Sequence, residues 1–156
     1  MMPPPMGLSF FGGKRDDEVV LQTDFVEGAN VLTDVPGLEY ATVSGGTYLV
    51  QVFGLFSCNA VTTGLQWRID CSGATGCMDV RSPSSGTAVV LRNEALATGT
   101  LTAGTGTGGV DGNPFSGWAL VISTGNPIKV RARSEVVVAN GITVRAGTTM
   151  LVRRVR

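Results

Sequence analysis

The sequence predicts an all-β protein, a sandwich or jelly roll of about eight to ten strands preceded by an extended N-terminal arm. Two patterns carry this. From Asn30 onward apolar residues recur at every second position in short runs, and turn signals such as Gly45-Gly46, Gly125-Asn126-Pro127 and Asn140-Gly141 separate those runs. No convincing helical pattern interrupts them. A third observation bears on function: none of the 156 residues is a histidine. Metal-centred, redox and Ser-His-Asp chemistries lean on imidazole, so the pattern points to a module that builds or binds something.

Met1 to Gly13, with Pro3, Pro4 and Pro5, can neither form a helix nor enter the middle of a sheet. Residues 1–17 are therefore expected as an arm and residues 18–156 as the sandwich. Within the arm Leu8, Phe10 and Phe11 are exposed to no purpose unless they dock on something. Burying each contributes about 1.5 to 3 kcal/mol, and an oligomer would multiply the attachment.

The body is expected to open with a half-buried strand, Val19, Leu21, Thr23 and Phe25 on one face and Gln22 and Asp24 on the other. Leu65, Trp67 and Ile69 alternate with Gln66, Arg68 and Asp70, and Ile128, Val130 and Ala132 alternate with Lys129, Arg131 and Arg133. Each of these has one wet face. Tyr48 to Phe56 differs: Tyr48, Val50, Val52 and Phe56 lie on one side, and Leu49, Phe53 and Leu55 on the other. Trp118 to Ile122 is also apolar on both sides. A sheet of a sandwich has one inner face, so the second apolar face must meet a neighbouring subunit or a covering loop. Leu49, Phe53, Leu55 and Trp118 are the expected interface residues.

Charge is balanced overall, with 12 basic and 12 acidic residues, so the whole chain carries no nucleic-acid footprint. It is unevenly distributed. Residues 1–40 carry two basic and seven acidic side chains, while residues 127–156 carry seven basic and one acidic. If the first and last strands are neighbours, these charges face one another and help set register. At 156 residues one core can hide roughly two thirds of the unfolded surface, so no covalent staple is required. Cys58, Cys71 and Cys77 form no even disulfide framework, and a zinc site would lack its fourth ligand; free thiols are expected, with a Cys71–Cys77 bridge across the turn between them as the alternative.

The N-terminus lacks a signal peptide's basic-then-apolar order and no segment is long enough for a membrane span, so cytoplasmic synthesis is expected. The longest loop, Thr102 to Asn113, is glycine-rich but lacks both the Gly-Lys-Ser/Thr and the following helix of a phosphate-binding loop. Asp111 and Asn113 fall short of a calcium cage. Four carboxylates, Asp70, Asp79, Glu94 and Asp111, offer glycosidase chemistry, yet nothing in their spacing brings two to the required separation.

Thr33-Asp34-Val35-Pro36-Gly37-Leu38, then Gly46-Thr47-Tyr48, then Thr62-Thr63-Gly64-Leu65-Gln66-Trp67-Arg68-Ile69, and finally Ala146-Gly147-Thr148-Thr149 before Leu151-Val152-Arg153-Arg154-Val155 resemble a group of tailed-bacteriophage virion proteins. Their domains are similar to the tumour-necrosis-factor and complement-C1q jelly roll. The similarity covers about residues 19–156 and leaves the arm outside. It implies a tight homotrimer, decoration, head-fibre or tail-tip roles, and no catalytic residues. The expectation is a capsid decoration, or cement, protein on the outer surface of the virion, made in the host cytoplasm. Its Leu8, Phe10 and Phe11 would anchor on the major capsid protein, without cofactor, metal, nucleic acid or membrane. The alternative is a head- or tail-fibre module touching host glycans.

Overall fold

The computed structural model describes residues 16–60, 63–83, 89–95 and 112–155. The proposed arm anchors Leu8, Phe10 and Phe11, the loop from Thr102 to Asp111, and the side chain of Glu94 lie outside that description. Among the described residues there are eleven strands and no helix: β1 (Asp17–Val20), β2 (Phe25–Glu27), β3 (Thr33–Tyr40), β4 (Thr47–Cys58), β5 (Leu65–Asp70), β6 (Thr75–Pro83), β7 (Val89–Ala95), β8 (Asn113–Ile122), β9 (Ile128–Ser134), β10 (Ile142–Val144) and β11 (Thr149–Arg154).

They form two antiparallel sheets. The larger runs β1-β11-β4-β8-β6-β7, with β10 bridging β4 and β2, and the smaller runs β3-β9-β5. Pairing is nested: β1 with β11, β2 with β10, β3 with β9, and β4 with β8. The chain's first half thus pairs with its second half in reverse order, as in one long hairpin wound up on itself. The acidic beginning of the chain consequently meets its basic end. Asp24 pairs with Arg145 at 2.8 Å, Asp16 with Arg153 at 3.8 Å, and Asp34 with Lys129 at 2.7 Å.

The core lies between the sheets. Tyr48, Val50, Val52 and Phe56 of β4 point inward, as do Leu65, Trp67 and Ile69 of β5 and Ile128, Val130 and Ala132 of β9. Trp67 is fully buried, stacks edge-on against Phe115 with ring centroids 4.9 Å apart, and donates its indole N–H to the Arg81 carbonyl at 3.3 Å. Burying the ring while satisfying its one polar atom is what makes a tryptophan affordable there. Gly117 of β8 lies beneath it. A Cβ at that position would fall 2.9 Å from the Trp67 ring and 2.6 Å from the Asp79 carbonyl oxygen.

The expected first strand is instead two. Alternation continues through Val19, Leu21, Thr23 and Phe25, but pairing stops after Val20 and resumes at Phe25 on a different neighbour. Leu21 exchanges backbone hydrogen bonds with the turn before β11, donating to Thr148 and accepting from Gly147, while Asp24 accepts from the Ala146 N–H at 2.8 Å. These contacts bend the chain from β11 towards β10.

β3 carries a register shift between Asp34 and Glu39. Pro36 has no N–H to give to a ladder and Gly37 has φ of 87°, so the irregularity sits on an edge strand that tolerates it. Residues five apart normally face opposite sides of a strand. The shift returns Asp34 and Glu39 to the same face, where both reach Lys129, at 2.7 Å and 3.6 Å.

Candidate functional site

The outer faces of the two sheets are chemically unlike. On the larger sheet β4 presents Leu49, Gln51, Phe53 and Leu55, and β8 presents Pro114, Ser116, Trp118, Leu120 and Ile122. Phe53 is 48% exposed, Leu55 46%, Trp118 38%, Leu120 38% and Ile122 46%, with Leu49 half-buried. Alternation makes this inevitable: Val50, Val52, Ala119 and Val121 are pulled inward by the core, so their apolar neighbours must turn out. Strand pairing then joins them laterally, Leu49 opposite Leu120 and Gln51 opposite Trp118.

All four residues expected at a subunit interface, Leu49, Phe53, Leu55 and Trp118, fall on this one face. Of the two roles open to Trp118 from sequence, interface residue or core anchor, its 38% exposure on the outer face excludes the core. Leu120 and Ile122 were legible in the same alternation, and Leu151 of β11 extends the strip beside Leu49. Charge borders it on two sides. Arg153 and Asp16 stand 3.8 Å apart on the β11 flank, and Arg81 and Asp79 stand 3.7 Å apart on the β6 flank. An apolar centre with a charged margin is the anatomy of a protein–protein interface. At one end the strip opens into a groove of about 480 Å³ between Phe53, Leu55, Pro114 and the Ala146–Thr148 turn.

The smaller sheet shows the reverse. Its expected wet face is partly covered by a lattice of charge. Asp70 Oδ2 accepts from Arg68 at 2.7 Å and from Arg131 at 3.1 Å, Arg131 also donates to the Leu32 carbonyl at 2.8 Å, and Arg133 donates to Gln66 at 2.6 Å. Gln66 is buried under this network. Burial alone would raise the Asp70 carboxyl, but Arg68 and then Arg131, by hydrogen bond and charge, outweigh it and hold the pKa below the ordinary value. Asp34 raises the Lys129 ammonium by hydrogen bond and charge.

Of the four carboxylates, the two that are described, Asp70 and Asp79, do not converge. Asp70 is on the smaller sheet, and Asp79 is buried on β6 of the larger one, opposite Trp118. The three cysteines are free thiols. Burial, and then the charge of Glu135, pushes Cys58 up to about 11, and burial also raises Cys71. Neither is an activated nucleophile.

No protein-family model matches the chain, and no match was found among curated proteins or solved structures.

Proposed function

We propose that this chain is a structural protein of a tailed-phage virion, a capsid decoration protein that assembles as a homotrimer through the outer face of its larger sheet. The observation that carries the proposal is the strip of Leu49, Phe53, Leu55, Trp118, Leu120 and Ile122, apolar at its centre and bordered by ion pairs. Single exposed apolar residues are ordinary; a paired run of them across two adjacent strands is not. The nested strand pairing supports the finer assignment of a jelly roll akin to the tumour-necrosis-factor and C1q domains. One feature departs from an evenly divided two-sheet roll: β6 pairs with β8 in the larger sheet, leaving three strands in the smaller.

In this proposal the trimer presents three N-terminal arms together. Leu8, Phe10 and Phe11 of each dock on neighbouring major-capsid subunits, and avidity makes three weak attachments into a staple across the shell. The native mass of the full chain tests the assembly step. A mass near three times the 16.2 kDa chain is expected in sedimentation, and a single-chain mass at all concentrations overturns the trimer. The alternative, a head- or tail-fibre module that touches host glycans, is favoured by one separate observation, the polar cleft on the smaller sheet.

A further inference from the structure

We infer that the cleft at the Asp70 end of the smaller sheet is a binding site for a neutral polyhydroxylated ligand, a sugar ring. The cleft is an open depression of about 320 Å³ lined by Asp34, Asp70, Ser72, Asn126, Lys129 and Arg131, with Pro127 as an apolar patch. That is the lower end of the size range for small-ligand sites and close to what one or two sugar rings need. Asp34, Asp70, Lys129 and Arg131 come from β3, β5 and β9, while Ser72 lies in the turn after β5 and Asn126 and Pro127 in the turn between β8 and β9.

Charge decides the ligand class. Two carboxylates and two cations line the cleft and are paired with each other: Asp34 with Lys129 at 2.7 Å and with Arg131 at 2.9 Å, and Asp70 with Arg131 at 3.1 Å. An anion would meet Asp34 and Asp70, and a cation would meet Lys129 and Arg131. A neutral ligand opposes neither. The internal pairs still leave hydrogen-bonding capacity directed at the cleft. Asp70 uses Oδ2 for both arginines and leaves Oδ1 to accept. Asn126 commits its amide nitrogen to the Ser72 carbonyl at 2.9 Å and to Thr124 at 3.2 Å, which fixes the side chain and leaves its oxygen to accept. The Nε of Arg131 is buried 2.9 Å from Asp34 Oδ1 and adds no donor to the cleft. Lys129, bonded to Asp34 and 3.6 Å from Glu39, retains one further ammonium hydrogen, and the Ser72 hydroxyl can donate or accept. Alternating donors and acceptors, fixed by ion pairs, are what adjacent hydroxyl groups of a sugar require. The same ion pairs also knit three strands, and a purely structural lattice is the competing explanation that the experiment must separate.

The inference deepens the fibre alternative without depending on it, because the cleft faces away from the apolar strip and stays open in a trimer. Saturation-transfer NMR on the full chain, with glucose, galactose, mannose and N-acetylglucosamine as neutral probes and sialic acid and glucosamine as charged ones, tests it. Transfer from at least one neutral sugar is expected, with loss of the signal in Ser72→Phe, which fills the exposed mouth without breaking an ion pair. Asp70→Asn should also lose it, and native mass measured on the same samples reports the trimer separately. No transfer from any neutral sugar, an undiminished signal in Ser72→Phe, or equal transfer from the charged sugars overturns the inference. A lattice with only a structural role gives the first of these results.

Discussion

Leu49 of β4 and Leu120 of β8 stand directly opposite one another on the solvent side of the larger sheet, across the pair of strands that forms its centre. Their neighbours Val50 and Ala119 make the same pairing on the inner side, where both are buried. A single central strand pair thus serves two apolar layers, one closed by the smaller sheet and one exposed on the outer face.

If the proposed trimer forms through this face, Phe53→Asp should dissociate it while leaving the fold of each chain in place, because Phe53 is 48% exposed and supports no core contact that an exposed carboxylate would break. Loss of a central aromatic anchor costs about 2 kcal/mol or more of association free energy. Native mass should fall to one chain with an unchanged far-ultraviolet circular dichroism spectrum. An intact trimer would mean that the contact lies elsewhere.

The two tryptophans give an independent signal. Trp67 is fully buried in the chain and Trp118 is 38% exposed, so acrylamide quenching of the wild-type protein should rise when Phe53→Asp uncovers Trp118. Quenching that is the same in both proteins would leave Trp118 outside the interface.

Gly117→Ala should destabilise the body by about 1 to 3 kcal/mol, since the new methyl group has nowhere to go between the Asp79 carbonyl and the Trp67 ring. Ser116→Ala, on the exposed face of the same strand, should stay within about 0.5 kcal/mol of wild type. Thermal melts of the two variants compare them, and equal melting temperatures would contradict the close packing under Trp67.

The Asp70 ion pairs should add acid sensitivity. The folded pKa is held below the unfolded value of about 3.9, so the carboxylate's contribution is complete above that value and is lost as pH falls through the folded one. Asp70→Asn should lower the melting temperature at neutral pH, and the gap to wild type should narrow as pH falls below the ordinary carboxylate range. A gap that persists in acid would assign the effect to packing and not to charge.

Much of this arrangement was legible in the residues. Period-two alternation identified the inner set Tyr48, Val50, Val52 and Phe56 and the outer set Leu49, Phe53 and Leu55, because a strand's two faces are written on alternate positions. The condition set on the opposed charges, that the first and last strands be neighbours, is met by β1 and β11; the β3–β9 pairing was not legible from it. The break after Val20 was not legible, since Leu21 continues the apolar rhythm while its backbone is claimed by Gly147 and Thr148, far along the chain. Nor was the polar cleft, whose walls come from segments that only the rolled-up topology brings together. Its one local signal was Pro36-Gly37 inside an alternating run, the mark of the irregularity that sets Asp34 and Glu39 on the same face.

The arm is the part of the proposal that meets the shell. Deleting residues 2–13 should abolish attachment to capsids while preserving the native mass of the body; attachment that survives the deletion would place the capsid contact on the sandwich.

The molar ratio of this chain to the major capsid protein in purified particles tests decoration most directly. A ratio near one is the expected result, since a shell-wide cement must be present at every lattice position. A handful of copies would contradict decoration in favour of a fibre, and absence from particles would contradict both.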